Sequence, residues 1–273
     1  MLTRVLSRSF WSAYDSLGTL VVANLLWLAL TAPFLGLLFL AGLPIYRSMP
    51  YVFYLCAPAV LFLSPASAGL AELAGRLADT GETTVATFWA GVRQHFFRAL
   101  FLMSGAVLAT MILSASFLFY SRGVVESLGR IGNMTAAGLA LWALVILAGT
   151  TCYWMPVVVG VRGRKPQIWS VVRRSALLTL DNPAYTLGVL VVTVAMSIFW
   201  AGTVLGLAVI GFSAIRVFHA HARRVLHERY DVAAALAGRG KPTDRNSVRR
   251  ALREQWDAEP RRSLRELIRP WDS

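Results

Sequence analysis

Five stretches of the chain, 16–46, 48–71, 99–121, 131–161 and 182–215, contain no Asp, Glu, Lys or Arg. Leu, Val, Ala, Phe and Trp dominate each of them. A hydrocarbon core about 30 Å thick needs roughly 20 apolar residues of helix to cross it. Every stretch passes that test, so the pattern predicts an all-α, polytopic transmembrane bundle. A first span is predicted over 17–43, with Asn24 and Pro33 inside it. The second window, 51–71, carries Pro58 and Pro65, which predict a short span to Leu63, a turn at Ser64-Pro65 and a small-residue helix over 66–78. Third and fourth spans are predicted over 99–121 and 134–159.

The last window has 34 residues. At 1.5 Å each they make a helix of roughly 50 Å, too long for one comfortable crossing and barely enough for two. Gly202 and Gly206 offer a break at its middle. Lys and Arg concentrate on the cytoplasmic side of membrane proteins. With six crossings and the N-terminus inside, 24 of the 27 basic residues lie inside and 3, Arg47, Arg122 and Arg130, lie outside. With five crossings the balance reverses, because the 14 basic residues from Arg216 onward move out. The sequence therefore predicts about six spans in the cell membrane, both termini cytoplasmic, with a membrane domain over 1–218 and a basic cytoplasmic tail over 219–273. The first apolar run is too long for a cleavable signal and reads as the first span.

Between the spans, 84–100 and 167–180 show helical apolar spacing among basic residues. Such helices either lie in the headgroup region or pack beneath the bundle. In the tail, Val248, Leu252 and Trp256 mark a short amphipathic helix. Ser263-Leu264-Arg265-Glu266 has the pattern of a capping box that opens another. Leu264, Leu267, Ile268 and Trp271 give that last piece an apolar side for docking on lipid or on a protein groove.

Composition changes the picture in one respect. The chain is 56% hydrophobic, 15% charged and has a net charge of +13. The charge sits between and after the spans, which suits anionic lipid rather than nucleic acid. Cys56 and Cys152 fall inside apolar spans, and no CxxC occurs.

At this point the residues resemble a known group. NLLWLALTAPF (24–34), SPASAGL (64–70) and ATFWAGVRQHFFRAL (86–100) occur in that order. They resemble the YesL-like bacterial membrane proteins, with their Asn-Leu-Leu-Trp, Leu-Pro, Gly-Pro-Ala and basic Phe-rich elements. RRSALLTLDNPAYTL (173–187) and RSLRELIRPWD (262–272) fit the same pattern. One departure is clear: about 30 residues separate Pro33 from Pro65, enough for an added crossing, whereas the family's two proline elements lie close together. The family has no established activity. Its members look like companions of carbohydrate uptake systems, so the resemblance implies a transport-linked role and a sugar-transporter permease as partner.

Chemistry is sparse. Asn24, Glu72 and Asp181 are the candidate intramembrane polar contacts. Asn24 reads as a helix–helix bridge, and Glu72 and Asp181 as interfacial carboxylates or caps. His219, His221 and His227 cluster in sequence, but 219 and 221 point to different sides of a helix and predict no metal site. No Walker A loop, HExxH or GxSxG is present, since Gly240-Lys241 is followed by Pro242. No catalytic residue or cofactor is therefore expected. Three functions stay open: a non-enzymatic accessory or regulatory component linked to solute transport, a stand-alone transporter or channel, and a lipid-modifying enzyme built on Glu72, His95 and Asp181. A polar cavity at mid-membrane would mark the second, and convergence of those three residues the third.

Overall fold

The computed structural model describes residues 1–42, 50–160, 167–203, 206–239 and 243–258. Among the described residues every regular element is helical. The order is α1 (Leu2–Asp15), α2 (Leu17–Gly42), α3 (Pro50–Thr80), α4 (Val85–Ser121), a 3-10 turn (Glu126–Leu128), α5 (Gly129–Gly160), α6 (Ile168–Asp181), α7 (Pro183–Gly202), a π-helical turn (Leu207–Gly211), α8 (Phe212–Gly238) and α9 (Arg245–Asp257). Three segments, Val85–Ser121, Glu126–Gly160 and Pro183–Gly202, are long and apolar enough to cross a membrane. The pair Leu2–Asp15 and Leu17–Ala32, bent by 88°, makes a fourth candidate.

Two predicted breaks are absent. α3 runs through both Pro58 and Pro65 without the expected turn at Ser64-Pro65. Pro65 removes one backbone donor, but neighbours enclose residues 64–71 completely, and such packing holds a proline-containing membrane helix together. The helix expected over 84–100, apart from the third span, is likewise the first half of one 37-residue rod, α4. Its buried positions Phe88, Gly91, His95, Ala99, Leu102 and Ala106 form a single stripe across the expected boundary. No proline or glycine interrupts that stripe between 92 and 104. At 1.5 Å per residue the rod is roughly 55 Å long, well beyond a hydrocarbon core.

Other elements fall near their predicted places. α6 lies one residue from its predicted limits and buries Val171, Ser175, Leu178 and Thr179. α7 stops at Gly202, and the π-helical turn begins at Leu207, so the chain departs from a regular α-helix near the expected glycines. The helix α1 was not expected. It buries Val5 and Ser9 and exposes Leu6, Phe10 and Tyr14.

The chain divides into two compact units, Met1–Arg223 and Arg224–Ser273, and the division falls within α8. In the first unit the core gathers at one end. Leu20, Ala23 and Trp27 of α2 pack with Leu70, Leu73, Ala74 and Leu77 of α3, Phe88 of α4, and Val217 and Ala220 of α8. Glycines set the closest approach. A Cβ at Gly91 would stand 2.5 Å from Glu72 Cβ and 3.1 Å from both Ala68 O and Gly69 Cα. Away from this end the apolar windows of α4, α5 and α7 are only 6%, 17% and 11% buried.

In the second unit Glu228 holds two donors. Trp256 Nε1 donates to one carboxylate oxygen at 3.0 Å, and Arg224 Nε donates to the other at 3.3 Å. Val248 and Leu252 of α9 are buried. Asp244 caps α9 by accepting from the Asn246 amide at 3.1 Å.

Candidate functional site

The polar residues of the first unit converge on the first half of α8. Residues 217–223 are all buried, although they include His219, His221 and Arg223. A helix buried on every side with three cationic or titratable side chains is costly unless each finds a partner. The sequence predicts instead a cytoplasmic tail from His219 onward. The signal for enclosure was present in the small and apolar residues between the polar ones, Val217, Phe218, Ala220 and Ala222.

Their partners come from α1, α3 and α7. His219 Nε2 lies 2.9 Å from Thr193 Oγ1 of α7. The Thr193 hydroxyl already donates to Val189 O at 2.8 Å. Its oxygen therefore accepts, and His219 carries its proton on Nε2. His219 Nδ1 is buried with no hydrogen-bond partner among the described residues. A charged imidazolium would leave an N–H stranded there, so the ring is held neutral. His221 Nε2 lies 2.9 Å from Ser12 Oγ of α1. Tyr185 Oη of α7 donates to Ala222 O at 3.0 Å. Arg223 pairs with Asp79 of α3 at 3.7 Å. Its guanidinium rests on Gly160 at the end of α5, where any Cβ would collide with it.

Asn24 serves the break in the last apolar window. Its Nδ2 donates to Ala208 O at 2.6 Å, and its Oδ1 accepts from the Ser213 amide at 3.1 Å. Positions 208 and 213 are five apart, the spacing of a π-helical hydrogen bond. The Asn24 amide thus stands between a carbonyl and an amide that would otherwise face each other across the π turn. Beside it, Trp27 stacks on Phe212 with ring centroids 3.9 Å apart and donates to Ser67 Oγ at 3.2 Å.

Glu72 lies at the α3–α4 crossing. Its carboxylate accepts from His95 Nε2 at 3.3 Å and faces Arg76 Nε at 3.7 Å. Asp181 is the exposed last residue of α6, just before Asn182, which is buried. Leu264, Leu267, Ile268 and Trp271, the expected docking residues, lie outside the described residues. Cys152 is a free, buried thiol. Among the described residues no three His, Cys, Asp or Glu side chains gather as a metal centre would require.

One cavity of about 220 Å³ lies between α5, α6 and α7, lined almost wholly by apolar atoms. The chemistry of this end is therefore that of pairwise ties between helices. No protein-family model, curated protein or solved structure matches the chain.

Proposed function

We propose that this is a six-span protein of the cell membrane, with both termini cytoplasmic, acting as a non-enzymatic accessory or regulatory component linked to solute transport. The observation that carries the proposal is the pairing of the buried polar side chains. Asn24, His219, His221 and Arg223 each bond to another helix of the same unit. Groups spent on one another fix helix positions and leave little to bind a solute. The 24-to-3 division of basic residues supports the orientation. The YesL-like resemblance points to carbohydrate uptake and to a sugar-transporter permease as partner.

A stand-alone transporter is the second reading, favoured by the interruption between Gly202 and the π turn. Interrupted helices line solute pathways in many transporters. One experiment separates the two. The purified protein is reconstituted alone in vesicles and assayed for sugar flux, and the tagged protein is recovered in mild detergent from cells. Recovery of a sugar permease without flux supports the accessory role. Flux by the protein alone, abolished by Asn24→Leu in a folded variant, would establish the transporter instead.

A further inference from the structure

The cavity between α5, α6 and α7 opens at the surface of the unit. Trp142, Leu180 and Leu187 on its rim are 67%, 59% and 54% exposed. Gly149 forms part of its floor, where a Cβ would meet Thr186 Cγ2 at 2.8 Å. The hydroxyls that reach the cavity are spent, because Thr179 donates to Ser175 O and Thr186 bonds to Tyr153. The lining is therefore almost wholly apolar. At about 220 Å³ the space is smaller than the roughly 300 Å³ or more of a drug-sized pocket. It suits one extended hydrocarbon chain.

What lies along α6 identifies the chain's owner. Trp169, Arg173, Leu177 and Leu180 are spaced by four, four and three residues, so they share one helix face. All four are exposed. Arg174 is exposed beside them. Among the described residues neither Arg173 nor Arg174 has an ion-pair partner. Arg173 stands seven residues from Leu180, roughly 10 Å along the helix axis. The surface thus runs from an apolar cleft to two uncompensated cations, with an aromatic side chain of the kind that settles at headgroup level. A zwitterionic lipid would satisfy the cleft but leave the cations without a net counter-charge.

We propose that this surface is a binding site for an anionic phospholipid, with one acyl chain in the α5–α6–α7 cleft and the phosphate at Arg173 and Arg174. The site is independent of whether the protein serves a permease or moves solute itself. Its lipid would pin α6 to the middle of α5 and the start of α7.

The test uses the full chain in phosphatidylcholine vesicles doped with phosphatidylglycerol or phosphatidylcholine carrying identical brominated chains. Bromine quenches a nearby indole, and the difference between the wild type and Trp142→Phe isolates the residue on the rim. Trp142 is expected to reach half-quenching at a lower fraction of the anionic lipid, by about fivefold for each arginine engaged. Arg173→Gln with Arg174→Gln is expected to bring the two lipids to parity without disturbing the fold, since both side chains are exposed. Ala184→Phe, which fills the cleft, is expected to remove the anionic preference with the arginines in place. Parity in the wild type would overturn the proposal. So would a preference that survives in the double arginine variant or in Ala184→Phe.

Discussion

The two ends of the first unit are built from the same helices yet obey different rules. At one end α3, α4, α5 and α8 share a buried core that takes in Ser64, His95, Tyr153, His219 and Arg223. At the other, Leu108, Met111, Ile112, Leu118 and Phe119 form one exposed face of α4, and Leu139, Leu141 and Trp142 of α5 are exposed. The difference teaches where specificity resides. Between apolar surfaces in lipid there is no hydrophobic drive, so close packing and hydrogen bonds must choose the partner helices. The first end has both, glycine contacts at Gly69 and Gly91 and polar ties at Asn24 and His219. The second end has a surface that matches lipid tails.

The largest effect should come from spoiling a glycine contact at the packed end. Gly91→Ala places a methyl group against Glu72 Cβ and the backbone of α3, which cannot swing aside as a side chain would. Overpacking of this kind costs about 1–3 kcal/mol, and backbone neighbours put it near the upper value. Unfolding in mixed detergent micelles should show the loss. A neutral Gly91→Ala would mean that α3 and α4 have room to part.

Next comes the tie across the π turn. Asn24→Leu strands Ala208 O and the Ser213 amide in an apolar setting, at about 2 kcal/mol. The same unfolding assay should register it, and amide exchange at Ser213 should accelerate. Unchanged exchange there would show that the two backbone groups pair with each other once Asn24 is gone.

These ties also mark the limit of what could be read from the chain. The charge-free runs forecast apolar helices because a membrane tolerates backbone only when its hydrogen bonds close within the helix. That constraint is local and shows in composition. The prolines misled because their cost depends on what surrounds them, and residues 64–71 are sealed by distant segments. Asn24 stood out as a lone amide on an uncharged run, but its partner lies 189 residues away, and nothing local designates Ser213. Similarly, His219, His221 and Arg223 look like a basic tail until Thr193, Ser12 and Asp79 are brought to them. The α1 helix was legible in principle, since Leu2, Leu6, Phe10 and Tyr14 recur every fourth residue.

A smaller effect belongs to the second unit. Hydrogen bonds from the Ser247 hydroxyl, and from the Asn246 and Ser247 amides, hold the Asp244 carboxyl below its usual range. A lowered folded value means that the cap stabilises α9 fully above the unfolded value of about 3.9. That stability is lost as the pH falls through the lowered folded value. Exchange of the first-turn amides of α9, corrected for intrinsic rates, should rise only below about pH 4 in the wild type. It should be raised at all pH values in Asp244→Ala. A pH response that persists in the variant would assign it to another group.

The contrast between the two ends is tested most directly by a spin-label scan along α4 from 87 to 119, comparing collision with oxygen and with a water-soluble relaxant in lipid vesicles. The account predicts protection at 88, 91, 95, 99, 102 and 106, following the buried stripe. At 108, 111, 112, 118 and 119, which share one face, it predicts high oxygen access. Low oxygen access at 108, 111, 112, 118 and 119 would contradict it, because that face would then be a protein interface rather than a lipid-facing surface.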